Sequence, residues 1–210
     1  MKLNRHFYQK NTLEVAEELL GKNIVREQNN TYMKAVIVET EAYIGKDDTA
    51  CHASKGLTQR TEVMFGEAGH AYVYFVYGMH YMLNIVTEET NFPAAVLIRA
   101  VEPIEGMEAM IKNRCLTGKS LTGKSLTGKS LTGKNLSNGP AKLCQALNIN
   151  KSLNGWDLTL GKKLWIEENP SLPEFQIGNS PRIGIGYAEE KDRIAAWRFF
   201  IKHNPYVSRK

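Results

Sequence analysis

"HAYVYFVYGMHYMLNIV", His70–Val86, decides the fold. Two β-rich runs flank Tyr77-Gly78-Met79-His80, with a glycine where the chain must bend. That is the pattern of a hairpin, and a tight bend makes its two strands antiparallel neighbours. Working outward, "AAVLIRAVEP" (94–103) follows as a further strand. Upstream, "KNIVRE" (22–27) and "YMKAVIVETEAYIG" (32–45) read as two strands joined by the turn-rich "QNNT". Towards the C-terminus "KKLWIEE", "PRIGIGYA" and "WRFFIKH" supply the remaining strands.

Helices are fewer. "NTLEVAEELLGK" (11–22) opens on Asn11 as N-cap, with Glu14 at capping-box spacing and an apolar stripe of Leu13, Ala16, Leu19 and Leu20 before Gly21. Ile104, Met107 and Ile111 give helical spacing near 103–113. "SNGPAKLCQALNI" places Pro140 in a first helical turn after Ser137 or Asn138. Strands outnumber helices and follow one another directly, without βαβ alternation. The expected class is α+β: one domain over 1–210, with a curved, largely antiparallel sheet, a protruding hairpin and helices packed around it.

Composition sets bounds. A chain of 210 residues, 42% hydrophobic and 23% charged, has the balance of a globular domain. No stretch has the apolar length of a membrane span, and "MKLNRHFYQKN" lacks an apolar signal core, so a cytoplasmic location is expected. Cys51, Cys115 and Cys144 are far apart, which supports neither a metal site nor a disulfide framework.

The charge is uneven. Between Glu108 and Asp157 there is no acidic residue and there are eight lysines and arginines; removing them takes the net charge from +5 to −3. Such a segment is either a surface for phosphates or a solvated lysine loop. Within it, residues 116–135 read LTGKS LTGKS LTGKS LTGKN. Gly118–Ser125 matches the phosphate-binding pattern G-x-x-x-x-G-K-[ST], but the match recurs in overlapping register at Gly123–Ser130. A helical segment precedes it where that motif needs a strand. The repeat is therefore a low-complexity insertion, not a nucleotide cradle.

Three groups of residues can carry chemistry. In "VIVETEAYIG", Glu39, Glu41 and Tyr43 fall on one strand face, opposite Val38, Thr40 and Ala42. For an isolated E-x-Y a solvated face or an ion pair is the ordinary reading. Here the apolar run leading in argues for at least partial burial, and buried carboxylates are paired or functional. Tyr72 and Tyr74 share a strand face, where a core role is the default. Tyr77 sits at the hairpin bend, away from any core, as an interface anchor or as a wedge of the kind pushed between base steps.

Together these stretches resemble the alkyladenine (3-methyladenine) DNA glycosylases of the mammalian-type fold. The matching segments are "VETEAY", "DDTACH", "YVYFVYGMHYMLN", "LIRAVEPIEG", "NGPAKLCQALNINKS", "PRIGIGYA" and "RFFIKHNPYVS", in family order over nearly the whole chain. The repeat is the main departure.

The resemblance implies a monofunctional glycosylase without metal or cofactor, acting as a monomer associated with the nucleoid. Its partner is double-stranded DNA containing damaged purines, and its product is an intact abasic site. By position it implies Glu41 as the catalytic carboxylate and Arg99 as the residue that helps hold the attacking water and keeps Glu41 ionised. Tyr43, His52 and Tyr74 become the aromatic sandwich for the flipped base, and Asn84 the contact that hinders normal guanine. Tyr77 becomes the residue that fills the vacated stack. The helix beginning near Pro140, with Lys142, is expected to hold a DNA phosphate. Whether His52 donates a proton or only stacks stays open. A non-catalytic nucleic-acid-binding module of the same fold is the alternative.

Overall fold

The structure, a computed structural model, describes residues 1–118 and 133–208. Most of the pentapeptide repeat lies outside the described residues, and with it the choice between a surface for phosphates and a solvated lysine loop.

Turn chemistry sets the register at the start of the sheet. Strands β1 (Asn23–Gln28) and β2 (Thr31–Ile44) pair from Gln28–Thr31 to Asn23–Val36, so two residues turn the chain. Both of them, Asn29 and Asn30, have left-handed φ values of 49° and 60°. That is the two-residue turn whose twist suits a hairpin, and asparagine tolerates it. The next hairpin is β3 (Ala71–Val76) with β4 (His80–Val86), as the sequence predicts, and β5 (Ala94–Glu105) follows it.

With β6 (Leu164–Glu167), the order across the sheet is β3-β4-β5-β2-β1-β6. Two more strands, β7 (Ile177–Ser180) and β8 (Arg198–Ile201), attach through a β8–β2 pairing. All the pairings are antiparallel, which bears out the α+β expectation.

The long strand β2 organises the site. One edge runs along β5; the other is shared by β1 over Thr31–Val36 and by β8 over Glu39–Glu41. Against β5 the partners run Ile37–Val101, Glu39–Ala100, Thr40–Ile98, which skips Val38 on one strand and Arg99 on the other. Such irregularities bend a strand and re-aim its side chains. Residues 35–42 are buried without a break, on both faces, so the alternation read from the sequence does not become an exposed face. One cover is helix α2 (Thr12–Glu18), whose Val15 and Ala16 are fully buried and whose Ala16 carbonyl accepts the Thr40 hydroxyl at 2.8 Å. Burying such side chains contributes about 1–3 kcal/mol apiece.

The Asn11 cap is present: its side chain accepts the Leu13 N–H at 3.0 Å. Glu14 does not complete a capping box but pairs with Lys10 at 3.0 Å. Gly21 has φ +83°, and a Cβ there would come within 2.8 Å of Leu172 and Phe175, so both conformation and packing demand glycine. The remaining helices are α1 (Arg5–Tyr8), α3 (Met107–Gly118), α4 (Pro140–Ala146) and α5 (Glu190–Ile194). Among the described residues no helix is long and apolar enough to cross a membrane.

Three local expectations are corrected. Residues 181–188 form no strand; Pro181 and the paired glycines Gly184 and Gly186 break the ladder, and strand β7 lies just before them. The strand before α3 runs through Glu105, so that helix starts later than its apolar spacing suggests. Neither Ser137 nor Asn138 caps α4: Gly139 takes the cap position, Ser137 donates to the Val101 carbonyl at 2.6 Å and Asn138 accepts from Lys142 at 2.7 Å.

Candidate active site

The centre of the sheet carries a cluster of buried charge. Glu39 and Glu41 on β2 are both 0% exposed. Arg99, at the β5 irregularity, lies between them, with Nε 3.1 Å from Glu39 and Nη1 3.2 Å from Glu41. Glu39 also accepts from Arg198 Nε at 2.7 Å and from the Ser208 N–H and hydroxyl at 2.6 and 2.9 Å. Glu41 accepts the Tyr43 hydroxyl at 2.8 Å on Oε2 and the Ile183 N–H at 2.7 Å on Oε1. Buried carboxylates persist when paired and hydrogen-bonded in this way.

Burial drives the Glu41 carboxyl above the usual carboxylate range, while Arg99, the Ile183 N–H and the Tyr43 hydroxyl hold that rise back. Arg99 favours the ionised form of Glu41, as expected, but desolvation is the larger influence and the carboxyl still ends above its usual range. Burial also opposes the charge on Arg99, but Glu41 and Glu39 outweigh it. Burial and the adjacent Glu41 keep Tyr43 protonated, so its hydroxyl is a donor.

A cleft of about 960 Å³ opens in front of this cluster, walled by Tyr43, Arg99 and Ile183 and rimmed by Tyr74, Tyr77 and Pro140. Glu41 stands directly behind that wall rather than on it. At the cleft's inner end is a slot of only about 40 Å³, lined by Tyr43, His52, Tyr72, Tyr74, Asn84 and Tyr187. All four sequence-predicted base contacts, Tyr43, His52, Tyr74 and Asn84, therefore converge.

The slot is closed. His52 and Tyr74 pack edge to face with centroids 4.4 Å apart, whereas a base between two rings needs about 7 Å, twice the contact distance between carbons. His52 Nδ1 lies 3.0 Å from the Tyr72 hydroxyl, and the Asn84 amide donates to the Tyr72 carbonyl at 3.2 Å. Burial, and then Arg60, lowers His52 to about 4, so the ring is neutral near pH 7.

Tyr77 lies at the hairpin tip, 84% exposed, between half-exposed Phe75 and Met79. Its φ of 52° is left-handed, costly for an aromatic by about 1 kcal/mol or more, and it holds the ring away from the sheet at the cleft's rim. Lys142 is not brought into the cleft. Its ammonium rests on Asn138, and Pro140 forms the lining in its place.

Sequence reasoning missed the support behind Tyr43. Arg182 forms a two-pronged pair with Asp48 at 2.6 and 2.8 Å, donates to the Ala42 carbonyl at 2.9 Å, and lies 4.8 Å from the ring centres of both Tyr43 and Trp197. Asp48 in turn accepts the Ile44 N–H at 3.1 Å. The available signal was "PRIGIG" itself, since Pro and Gly at that density mark a loop, and loops carry a disproportionate share of the residues that build sites.

Known proteins match this chain over nearly its whole length. The family described as "Methylpurine-DNA glycosylase (MPG)" matches residues 6–205. A protein of Methanocella arvoryzae is 48% identical over 208 residues, covering 99% of this chain and 96% of its own. One from Clostridium perfringens strain SM101 is 47% identical over 212 residues, with 100% of each chain covered. One from Desulfitobacterium hafniense is 49% identical over 210 residues, covering 100% of this chain and 99% of its own. Each bears the name "Putative 3-methyladenine DNA glycosylase".

Proposed function

The chain belongs to the methylpurine-DNA glycosylase family, and joining that membership to the site's geometry we propose that it flips alkylated or deaminated purines out of duplex DNA and hydrolyses their N-glycosidic bond, leaving an abasic site. The observation that carries the proposal is the buried Glu41–Arg99 pair set directly behind Tyr43, where the cleft wall meets the aromatic slot.

Chemistry on a stacked base requires extrusion, which costs a few kcal/mol, least for a damaged or mispaired base. Tyr77, projecting from the rim, offsets that cost by filling the vacated stack. The base enters by parting His52 from Tyr74, so binding energy is spent on opening the slot, and a poorly fitting purine gains less from it. Alkylation at N3 or N7 makes a purine cationic, and the faces of Tyr43 and Tyr74 favour a cation.

As the bond breaks, the sugar becomes oxocarbenium-like beside the wall of Tyr43, Arg99 and Ile183. Glu41, buried behind the wall in the free protein and reached once the entering base has parted the slot beside Tyr43, stabilises that charge and accepts a proton from the attacking water, which Arg99 orients. A carboxyl raised by burial is a better base than an ordinary surface glutamate. A neutral His52 does not supply a proton to a neutral leaving base near pH 7, so it stacks and accepts.

The test is a duplex carrying a single 7-methylguanine or hypoxanthine, incubated with the protein and then treated with alkali. Strand cleavage at the lesion is the expected result. Tight binding with no cleavage above background would instead favour the non-catalytic binding module.

A further inference from the structure

Arg60 enters the chemistry above only through its lowering of His52, yet it sits on the slot. It is exposed, at the rim of the cleft, between two short 3-10 turns at His52–Lys55 and Glu62–Phe65. Its guanidinium carbon lies 5.3 Å from the centre of the Tyr74 ring, and an Nη2 lies 3.4 Å from His52 Nε2. Among the described residues no carboxylate pairs with it.

Guanidinium has donors only, so His52 Nε2 must present its lone pair. The ring proton is then on Nδ1 and is donated to the Tyr72 oxygen. Its contacts with the Tyr74 face and with His52 Nε2 are therefore made to features that an entering purine needs. The Tyr74 face is the surface on which a base stacks, and the Nε2 lone pair is an acceptor for a base N–H.

We propose that Arg60 is a cationic plug for the base slot, and through its charge a specificity-determining residue. In the free protein it occupies the face of Tyr74 and the lone pair of His52, and an incoming base must displace it. The displaced guanidinium remains tethered at the mouth, where it disfavours a cationic base relative to a neutral one. The slot that prefers cations through its rings thus carries a built-in competitor of the same charge, and the balance sets the range of lesions accepted. A cation over a ring at an exposed site is worth a factor of about two to five.

This inference rests on the excision reading, and the experiment separates the two. The ratio of kcat/KM for 7-methylguanine to that for hypoxanthine, in one duplex context, is measured for the parent, Arg60→Gln and Arg60→Lys. Arg60→Gln is expected to raise the ratio roughly threefold to tenfold. Arg60→Lys, which keeps the charge, is expected to stay within twofold of the parent. A lost phosphate contact or a weakened fold lowers both rates together and leaves the ratio unmoved, so an unchanged ratio in an active Arg60→Gln overturns the plug alone. A parent that releases neither base sinks the excision reading instead. A second arm needs no activity: in the free protein, NMR titration of the His52 ring is expected to move to higher pH in Arg60→Gln. An unmoved His52 signal overturns the plug whatever the excision result.

Discussion

The acid–arginine wall and the aromatic slot meet at Tyr43 but are built in opposite ways. The wall stands on β2, β5 and β8 at the middle of the sheet, and both oxygens of Glu39 and of Glu41 have partners. The slot takes its rings from β2, a hairpin, a 3-10 turn and the 181–188 loop, and they rest on one another with no room for a base between them. Chemistry gains from groups that need no rearrangement at the moment of reaction, whereas recognition of several lesions gains from parts that yield. A strand between two paired neighbours supplies the first; loops supply the second.

Breaking the wall alone gives the largest effect. Glu41→Gln is expected to lower single-turnover excision by about 10²–10⁴-fold, while the affinity for lesion duplex in a gel shift changes only a few-fold. Equal losses in both would mean that wall and slot are not separable. Next comes the clamp that joins them. Asp48→Ala leaves Arg182 buried without its charge partner and is expected to cost about 3–5 kcal/mol. Calorimetry should then show a midpoint lower by roughly 6–20 °C for a chain of this size. A shift of a degree or two would show the pair to be dispensable.

Smaller effects sharpen the contrast. Tyr77→Ser touches neither wall nor slot and is expected to slow excision from duplex by about 5- to 160-fold, the worth of one stacking contact, but not from a single strand. Equal slowing on both substrates would place Tyr77 in the slot's chemistry instead. The last is a pH effect. Under the proposed mechanism excision needs deprotonated Glu41, whose carboxyl is raised by burial, so the rate should climb with pH through a midpoint above that of an ordinary glutamate. The Tyr43 hydroxyl stabilises the carboxylate, so Tyr43→Phe favours the protonated form and should move that midpoint further up. A shift downward, read from rate–pH profiles, would deny the hydroxyl its role.

Much of the frame was legible because its causes are local. Asn29–Asn30 turning β1 into β2, Asn11 capping α2, and the bend after Val76 each depend on a handful of adjacent residues. Local rules failed where a distant partner had the stronger claim. Ser137 and Asn138 satisfy a cap pattern, but the Val101 carbonyl and Lys142 take their side chains. Glu39 and Glu41 were recognisable as a pair on one face, yet their complete burial depends on β5 and β8 flanking the same stretch of β2.

Residue type and spacing in the chain were enough to determine the class of fold and the antiparallel hairpins, because propensity and periodicity act over a few residues. The tertiary structure alone decided that Arg99 lies between two carboxylates, that Arg182 closes on Asp48 from 134 positions away, and that the slot is shut with Arg60 over its ring. Those outcomes follow from strand pairing and desolvation between distant segments, and no local pattern encodes the depth at which a charge will be buried.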